Sequence, residues 1–160
     1  MESHMSTHET FMDRAMALAT QAMNEGNRPA GCVIVKDGKI VGEGRNLVIT
    51  ETDPTAHGEV VAIRRTALDL GTVDLSSCTL YTSMEPCPMC CWAMIDSKIR
   101  RLVLGCRHAA LNRKDIGTYS VETLVAMTGR PLEIVTGVRA AECEALRRSW
   151  PGWRAFQGEA

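Results

Sequence analysis

Hydrophobic residues recur along the chain with two spacings, one typical of helices and one of strands. In residues 9–25 apolar side chains return every three or four positions, which predicts an amphipathic helix that Gly26 ends. Two short apolar runs follow, at 31–36 and 39–43, on either side of Asp37-Gly38. Because this dipeptide is a strong signal for a two-residue turn, the pattern predicts an antiparallel hairpin.

The rest of the chain alternates helix and strand. Asp53 as an N-cap and Pro54 at the first helical position predict a helix over residues 54–70. Further strands are predicted at 79–83, 101–106 and 133–136, and further helices at 88–98, 119–128 and 139–149. A hairpin followed by such alternation is typical of a mixed sheet with helices on both faces. The expected fold class is α/β, a three-layer α/β/α sandwich with a mixed five-stranded sheet.

Length and composition favour one ordinary globular domain spanning residues 1–160, in which residues 1–4 look like a vector-derived remnant. No apolar run approaches the ~20 residues that span a bilayer, and no leader resembles a secretory signal, so we expect a cytoplasmic protein with no membrane partner. Seven cysteines is an odd number, which favours reduced thiols and metal ligation over a disulfide framework. Four of the seven are expected to be buried core thiols: Cys32, Cys78, Cys106 and Cys143.

One histidine and two cysteines have the types and spacing of zinc ligands. His57 precedes by about thirty positions the pair Cys87 and Cys90, whose i, i+3 spacing places both sulfurs on one face of a helical turn. Three protein ligands leave a fourth tetrahedral position for water, as in catalytic zinc sites. The alternatives are a structural zinc with an unidentified fourth ligand, for which His108 is the other plausible histidine, and a redox Cys-x-x-Cys. Cys91 is expected to point away from the metal.

Glu59 is the candidate proton carrier, since it lies two residues after His57. In an ideal helix that spacing turns the two side chains about 200° apart, so spacing alone does not bring Glu59 to the metal. Its role is inferred from the pattern H-x-E followed by P-C-x-x-C, which is the signature of zinc-dependent nucleobase deaminases.

Three segments extend this likeness: residues 42–46, 53–59 and 80–87. With them the chain resembles the cytidine-deaminase superfamily, in the branch of free-base deaminases and bacterial tRNA adenosine deaminases. The resemblance implies a Zn²⁺ enzyme in which activated water displaces ammonia and Glu59 shuttles the protons. It also implies that Asn46 hydrogen-bonds the substrate ring and that the protein is a homodimer. Turn propensity offers another role for Asn46, as a turn residue after a strand.

The substrate is predicted less directly. Bacterial guanine deaminases are similar at 53–57, at 82–90 and in the tail from Trp153, but their acidic, aromatic stretch after the fourth strand is missing, with Asp115 the only nearby acid. Fungal-type cytosine deaminases share Gly31-Cys32 and a Trp-containing tail. The tRNA deaminases match the core, yet carry a Gly/Ala-rich segment where this chain has 109–115.

Net charge decides the order of these hypotheses. It is −1, without the basic excess usual in proteins that grip phosphate backbones. A free nucleobase or nucleoside of cytosine or guanine type is therefore the first expectation, and wobble adenosine in tRNA the second. Trp153 is a candidate substrate-binding residue in a tail that closes over the base; alternatively, Trp150 and Trp153 pack the last helix onto the core. The non-enzyme alternative is a nucleic-acid-binding module with a closed structural zinc site.

Overall fold

The computed structural model describes residues 4–153 and places them around one five-stranded sheet of order β2-β1-β3-β4-β5. Strand β1 pairs antiparallel with both β2 and β3, whereas β3–β4 and β4–β5 are parallel. The elements are α1 His4–Asn24, β1 Gly31–Lys36, β2 Lys39–Arg45, α2 Gly58–Leu70, β3 Thr79–Met84, α3 Pro88–Asp96, β4 Arg101–Cys106, α4 Val121–Thr128, β5 Glu133–Val135 and α5 Ala140–Ser149. The predicted mixed sheet is confirmed.

The helices form two layers because the strands alternate their apolar side chains between two faces. Val33 and Val103 face a cluster that includes Met12 of α1 and Cys143 of α5. Neighbouring strand residues face a second cluster with α2, α3 and the start of α4, whose strand members are Cys32, Ile34, Leu80, Leu102 and Leu104. The three-layer α/β/α arrangement is therefore confirmed.

The four cysteines expected in the core are buried, each at 3% exposure or less. Cys91 is also fully buried, in the second core cluster together with Met94, and it is not part of the group positioned to bind a metal. No helix in the described part of the chain is long and apolar enough to cross a bilayer. Residues 1–3 lie outside the described range, so the vector-derived remnant stays a prediction.

The predicted start of the second helix is wrong by four residues. Asp53 accepts a hydrogen bond from the backbone N–H of Thr55 at 2.8 Å, which closes a local turn instead of capping a helix. The backbone of His57 is extended, with φ −70° and ψ 150°, and α2 begins only at Gly58. The first helix begins earlier than expected, at His4 instead of residue 9. The late start of α2 determines how His57 and Glu59 are placed.

The site lies at the carboxyl ends of two inner strands of the sheet, β3 and β4. Parallel strands β3 and β4 end side by side there, so the residues after each strand meet. Glu85 follows β3, and its buried carboxylate accepts hydrogen bonds from the backbone N–H of His108 and of Val121, both at 3.0 Å. Glu85 also pairs with Arg107 at 2.9 Å. One carboxylate thus fastens the loop after β4 and the start of α4 to the end of β3.

Candidate metal centre and catalytic cavity

His57, Cys87 and Cys90 form the metal site, since one donor atom from each lies within 4.8 Å of the others. The Nδ1 of His57 is 3.5 Å from each sulfur, and the two sulfurs are 3.5 Å apart. Zinc bonds of about 2.3 Å to sulfur and 2.0 Å to nitrogen place tetrahedral donors roughly 3.5–3.8 Å apart. The spacing therefore fits Zn²⁺ without rearrangement.

Two helix N-termini position these donors. His57 is the N-cap of α2 and Cys87 the N-cap of α3, and both have extended backbones with no side-chain cap bond. Pro88 occupies the first turn of α3, where its missing N–H is no loss. Partial positive charge at a helix N-terminus favours a thiolate. The N-terminus of α3 therefore favours the ionised form of both ligand cysteines.

Without a metal, the thiols of Cys87 and Cys90 have pKa values that are shifted in opposite directions. Hydrogen bonds from Cys90 and then His57 lower the pKa of Cys87 to about 4, against the effect of burial. The pKa of Cys90 is raised well above its ordinary value by the bond to Cys87 and by burial. One proton is therefore held between two sulfurs, and a divalent cation can replace it. The hydrogen bond to Cys87 raises the pKa of His57.

Glu59 reaches the same space because His57 precedes the helix. The angle of about 200° applies only if both residues are helical, and His57 is not. Glu59 is 5% exposed, and burial followed by the nearby Cys87 raises its pKa. Its Oε1 lies 3.0 Å from the Oγ1 of Thr82, which lies 2.9 Å from the carbonyl oxygen of Met84.

Thr82 can accommodate either protonation state of Glu59. Its single hydroxyl proton serves one acceptor at a time. When Glu59 is ionised, Thr82 donates to it; when Glu59 is protonated, Glu59 donates to Thr82, and Thr82 donates to the carbonyl of Met84. The Thr82 hydroxyl can therefore keep the Glu59 side chain in one position whether Glu59 is ionised or protonated. Sequence analysis did not identify Thr82, because a threonine in a strand carries no motif.

A cavity of about 60 Å³ opens beside these groups. Asn46 lines it and is buried, at 3% exposure. Its Oδ1 accepts a hydrogen bond from the backbone N–H of Val48 at 3.2 Å, so it also acts as the turn residue considered above. That bond orients the amide, with its NH₂ group as the remaining donor. The other lining residues are Arg28, Ala30, His57, Glu59, Met84, Glu85, Cys87, His108, Arg113 and Arg147.

His108 lies in the cavity wall but not in the metal site. Its Nε2 is 3.4 Å from the carbonyl oxygen of Pro86, and its Nδ1 is 3.4 Å from an Nη of Arg113. Within residues 4–153 the group positioned for a metal consists of His57, Cys87 and Cys90. A closed zinc site with His108 as its fourth ligand is therefore not supported by the geometry.

Among residues 4–153, those that line the cavity include neither Trp150 nor Trp153. Trp153 is 9% exposed and packs in the α1/α5 cluster with Leu111 and Val138. Trp150 packs against the same cluster, with the guanidinium of Arg147 5.1 Å from its ring centre. These contacts support the core-packing alternative. The tail residues 154–156 lie outside the described range, so the lid over a substrate stays a prediction.

The fold and the open three-donor site define a zinc-binding catalytic domain, and comparison with known proteins gives its family. The model of the cytidine and deoxycytidylate deaminase zinc-binding region matches residues 5–106. The chain belongs to this family, and Zn²⁺ is its cofactor. The predicted resemblance is therefore confirmed.

Relatives with two kinds of substrate match the chain. Guanine deaminase of Bacillus subtilis (strain 168) is 49% identical over 102 residues, 63% of this chain and 65% of that protein. The match thus spans slightly less than two thirds of the Bacillus protein. The tRNA-specific adenosine deaminase of Haemophilus influenzae is 39% identical over 136 residues, 84% of this chain and 78% of its own.

A solved structure of a deaminase shares the fold of this chain. Guanine deaminase from Nitrosomonas europaea superposes with a TM-score of 0.78 at 26% identity, over 89% of this chain and 83% of that one. Membership of the family shows that the chain is a zinc-type deaminase. The relatives are named for a free base and for tRNA, so they do not decide which substrate this chain uses.

Proposed function

We propose that this protein is a zinc-dependent hydrolytic deaminase of a free nucleobase or nucleoside of guanine or cytosine type. The observation that carries the proposal is Glu59, buried in a small cavity whose wall also contains His57 and Cys87 of the metal site. Residues 4–153 act in this proposal as one catalytic domain. A buried acid with a raised pKa beside an open metal site is what proton transfer near neutral pH requires.

The proposed chemistry uses three ligands and one carboxylate. His57, Cys87 and Cys90 would hold the zinc, which would supply a Lewis acid for activating water. Glu59 takes a proton from the attacking water and passes it to the ring nitrogen of the substrate. It then takes the second proton from the hydroxyl group now on that carbon and gives it to the exocyclic amine as the carbon–nitrogen bond breaks, so ammonia leaves and a carbonyl remains. Thr82 holds Glu59 throughout.

Asn46 orients the ring in this proposal. Because its Oδ1 is held by Val48, its NH₂ group donates to a carbonyl oxygen or ring nitrogen of the base. Such an acceptor is present on guanine and cytosine next to the amine-bearing amidine. One hydrogen bond of this kind fixes which carbon faces the metal site.

A small substrate is favoured over tRNA by charge. A net charge of −1 provides no general attraction to RNA. The tRNA-specific relatives keep wobble adenosine as the second candidate.

We also propose a homodimer. Large apolar side chains are exposed on the α2 side of the sheet, with Leu68 74%, Val73 84% and Trp92 44% exposed. Apolar groups concentrated on one helical layer are typical of association surfaces. The prediction is a mass of twice 17.5 kDa by light scattering, falling to the monomer mass in a Leu68→Glu, Val73→Glu double variant; a wild-type monomer would contradict it.

The test is ammonia release by the zinc-loaded protein from cytosine, guanine, adenine, their nucleosides and an anticodon stem-loop RNA. We expect turnover of one base or nucleoside, abolished in Glu59→Ala with zinc content unchanged. The matched control is Glu51→Ala, because Glu51 is an exposed acid away from the cavity. Turnover of the RNA alone would overturn the small-substrate proposal, and retained activity in Glu59→Ala would overturn the mechanism.

A further inference from the structure

A carbonyl group next to the metal site accepts a short hydrogen bond from a distant part of the chain. The carbonyl belongs to Pro86, the residue before the ligand Cys87, and the hydroxyl of Tyr119 donates to it with an oxygen–oxygen distance of 2.6 Å. Bonds between a hydroxyl and an oxygen acceptor are most often about 2.7–2.8 Å long. Tyr119 belongs neither to the metal-binding group nor to the lining of the cavity, so no step described above uses it.

The backbone around Cys87 can rotate at few bonds. The ring of Pro86 fixes the φ of that residue, and the ring of Pro88 restricts Cys87 to extended backbone angles, as its φ of −68° and ψ of 171° show. The remaining joint is the peptide group between Pro86 and Cys87, whose rotation changes the ψ of one residue and the φ of the other together. This peptide group carries the carbonyl oxygen to which Tyr119 donates.

Tyr119 is itself anchored at the start of α4. It directly precedes Ser120, the N-cap of α4, which forms a complete capping box. The backbone N–H of Val121 donates to the buried carboxylate of Glu85 at 3.0 Å. The start of α4 therefore contacts both of the residues that precede Cys87, one through the Tyr119 hydroxyl and one through the Val121 amide.

The hydroxyl of Tyr119 is the better placed of two neighbouring donors. Pro86 is buried, and a buried carbonyl oxygen needs a hydrogen-bond donor. The Nε2 of His108 is 3.4 Å from the same oxygen, longer than an ordinary N–H···O bond. Burial raises the pKa of Tyr119, so its hydroxyl keeps the donated proton near neutral pH.

We infer that Tyr119 is a positioning residue of the metal site: its hydroxyl fixes the peptide group between Pro86 and Cys87, and with it the direction of the Cys87 side chain. Tyr119 acts through that peptide group and is not itself a ligand. Removal of partners that hold the ligands of a metal typically costs about 10- to 100-fold in metal affinity. The inference concerns the zinc site alone, so it goes beyond the proposed substrate and does not depend on it.

The first experiment measures the zinc affinity of Tyr119→Phe, which removes only the hydroxyl, by competition with a chromophoric chelator. We expect zinc to bind at least about tenfold more weakly than in the wild type. The control is Tyr81→Phe, because Tyr81 is the second of the two tyrosines and its hydroxyl lies 2.9 Å from the Nδ1 of His8, outside the cavity lining. An unchanged affinity in Tyr119→Phe, or an equal loss in both variants, would overturn the inference.

A cobalt spectrum separates positioning from a general loss of stability. The absorption bands of Co²⁺ bound in place of zinc depend on the geometry of its thiolate ligands. Tyr119→Phe should shift these bands from their wild-type positions, whereas Tyr81→Phe should keep them. Circular dichroism confirms that both variants are folded. Wild-type bands in folded Tyr119→Phe would leave Tyr119 a purely structural residue and overturn the inference.

The hydroxyl can also be altered without removing it, which serves if Tyr119→Phe does not fold. Since the sequence has two tyrosines, 3-fluorotyrosine incorporated into Tyr81→Phe changes the hydroxyl of Tyr119 alone. The cobalt bands should then differ from those of unfluorinated Tyr81→Phe, and identical bands would overturn the inference. None of these measurements needs a substrate, so absence of ammonia release would count against the proposed function only.

Discussion

The two sides of the cavity are built in different ways. On one side, which we call the metal wall, His57, Cys87, Cys90 and Glu59 come from two short segments at helix N-termini. On the other, which we call the arginine wall, Arg28, Arg113 and Arg147 come one each from three regions more than thirty positions apart. In the proposed function the metal wall supplies the groups that break a carbon–nitrogen bond, and no proposed step uses the arginine wall. Spacing along the sequence can therefore reveal the metal wall, whereas only the tertiary structure reveals the arginine wall.

The largest expected effect is that of metal removal, which disables the metal wall alone. A chelator should reduce ammonia release to background, and added Zn²⁺ should restore it, because activation of water depends on the metal. Cys87→Ser should lower bound zinc below one per chain. As a control, Cys78→Ser changes a buried cysteine outside the metal site and should keep zinc. Full activity in a chelated, zinc-free sample would contradict the account.

Removal of the amide of Asn46, which the proposed function assigns to orienting the ring, should have the next largest effect. Asn46→Ala should lower kcat/KM by about 10- to 100-fold, as expected for a lost hydrogen bond of roughly 1–3 kcal/mol. Zinc content should stay at one per chain, since Asn46 is not a metal ligand. Asn27→Ala is a matched control, because Asn27 is a buried asparagine that lies outside the cavity wall. Equal kinetic losses in the two variants would indicate a structural role only.

Gly44 tests how the metal wall is supported. A Cβ at this position would collide with the carbonyl oxygen of Gly58 in the first turn of α2. Gly44→Ala should therefore cost about 1–3 kcal/mol of unfolding free energy through overpacking. Denaturant unfolding measures this loss. Ala30→Gly serves as a comparison, because it changes the neighbouring backbone without adding an atom. Gly117→Ala is unsuitable, since the φ of Gly117 is positive and an alanine there would be strained. An unchanged free energy of unfolding would show that α2 can move away from β2.

The smallest expected effect is that of Thr82. Thr82→Val removes one hydroxyl but keeps the shape, so kcat should fall about fivefold, which corresponds to roughly 1 kcal/mol of a hydrogen bond. Zinc content and unfolding should change little. Thr82→Ser, which keeps the hydroxyl, should recover most of the rate. Equal rates in Val and Ser variants would mean that Thr82 does not hold Glu59.

How far the sequence predicts each wall follows from how each is built. The zinc ligands and the three-layer fold could be predicted because spacing along the chain reports local structure. The start of α2 could not, since Asp53 forms its own turn and leaves His57 extended before Gly58. That difference also explains how Glu59 reaches the cavity. Only tertiary structure brings Arg28, Arg113 and Arg147 together, so periodicity and motifs give no signal for them.

The most direct test of the account is a steady-state comparison of Glu59→Gln and Glu51→Gln on one substrate of the panel, with the zinc content of both variants measured. Glu59→Gln should reduce kcat by about 10³-fold or more and keep one zinc per chain. Glu51→Gln changes an exposed acid outside the cavity and should keep the wild-type rate. A wild-type rate in zinc-loaded Glu59→Gln would contradict the role of Glu59 as the proton carrier.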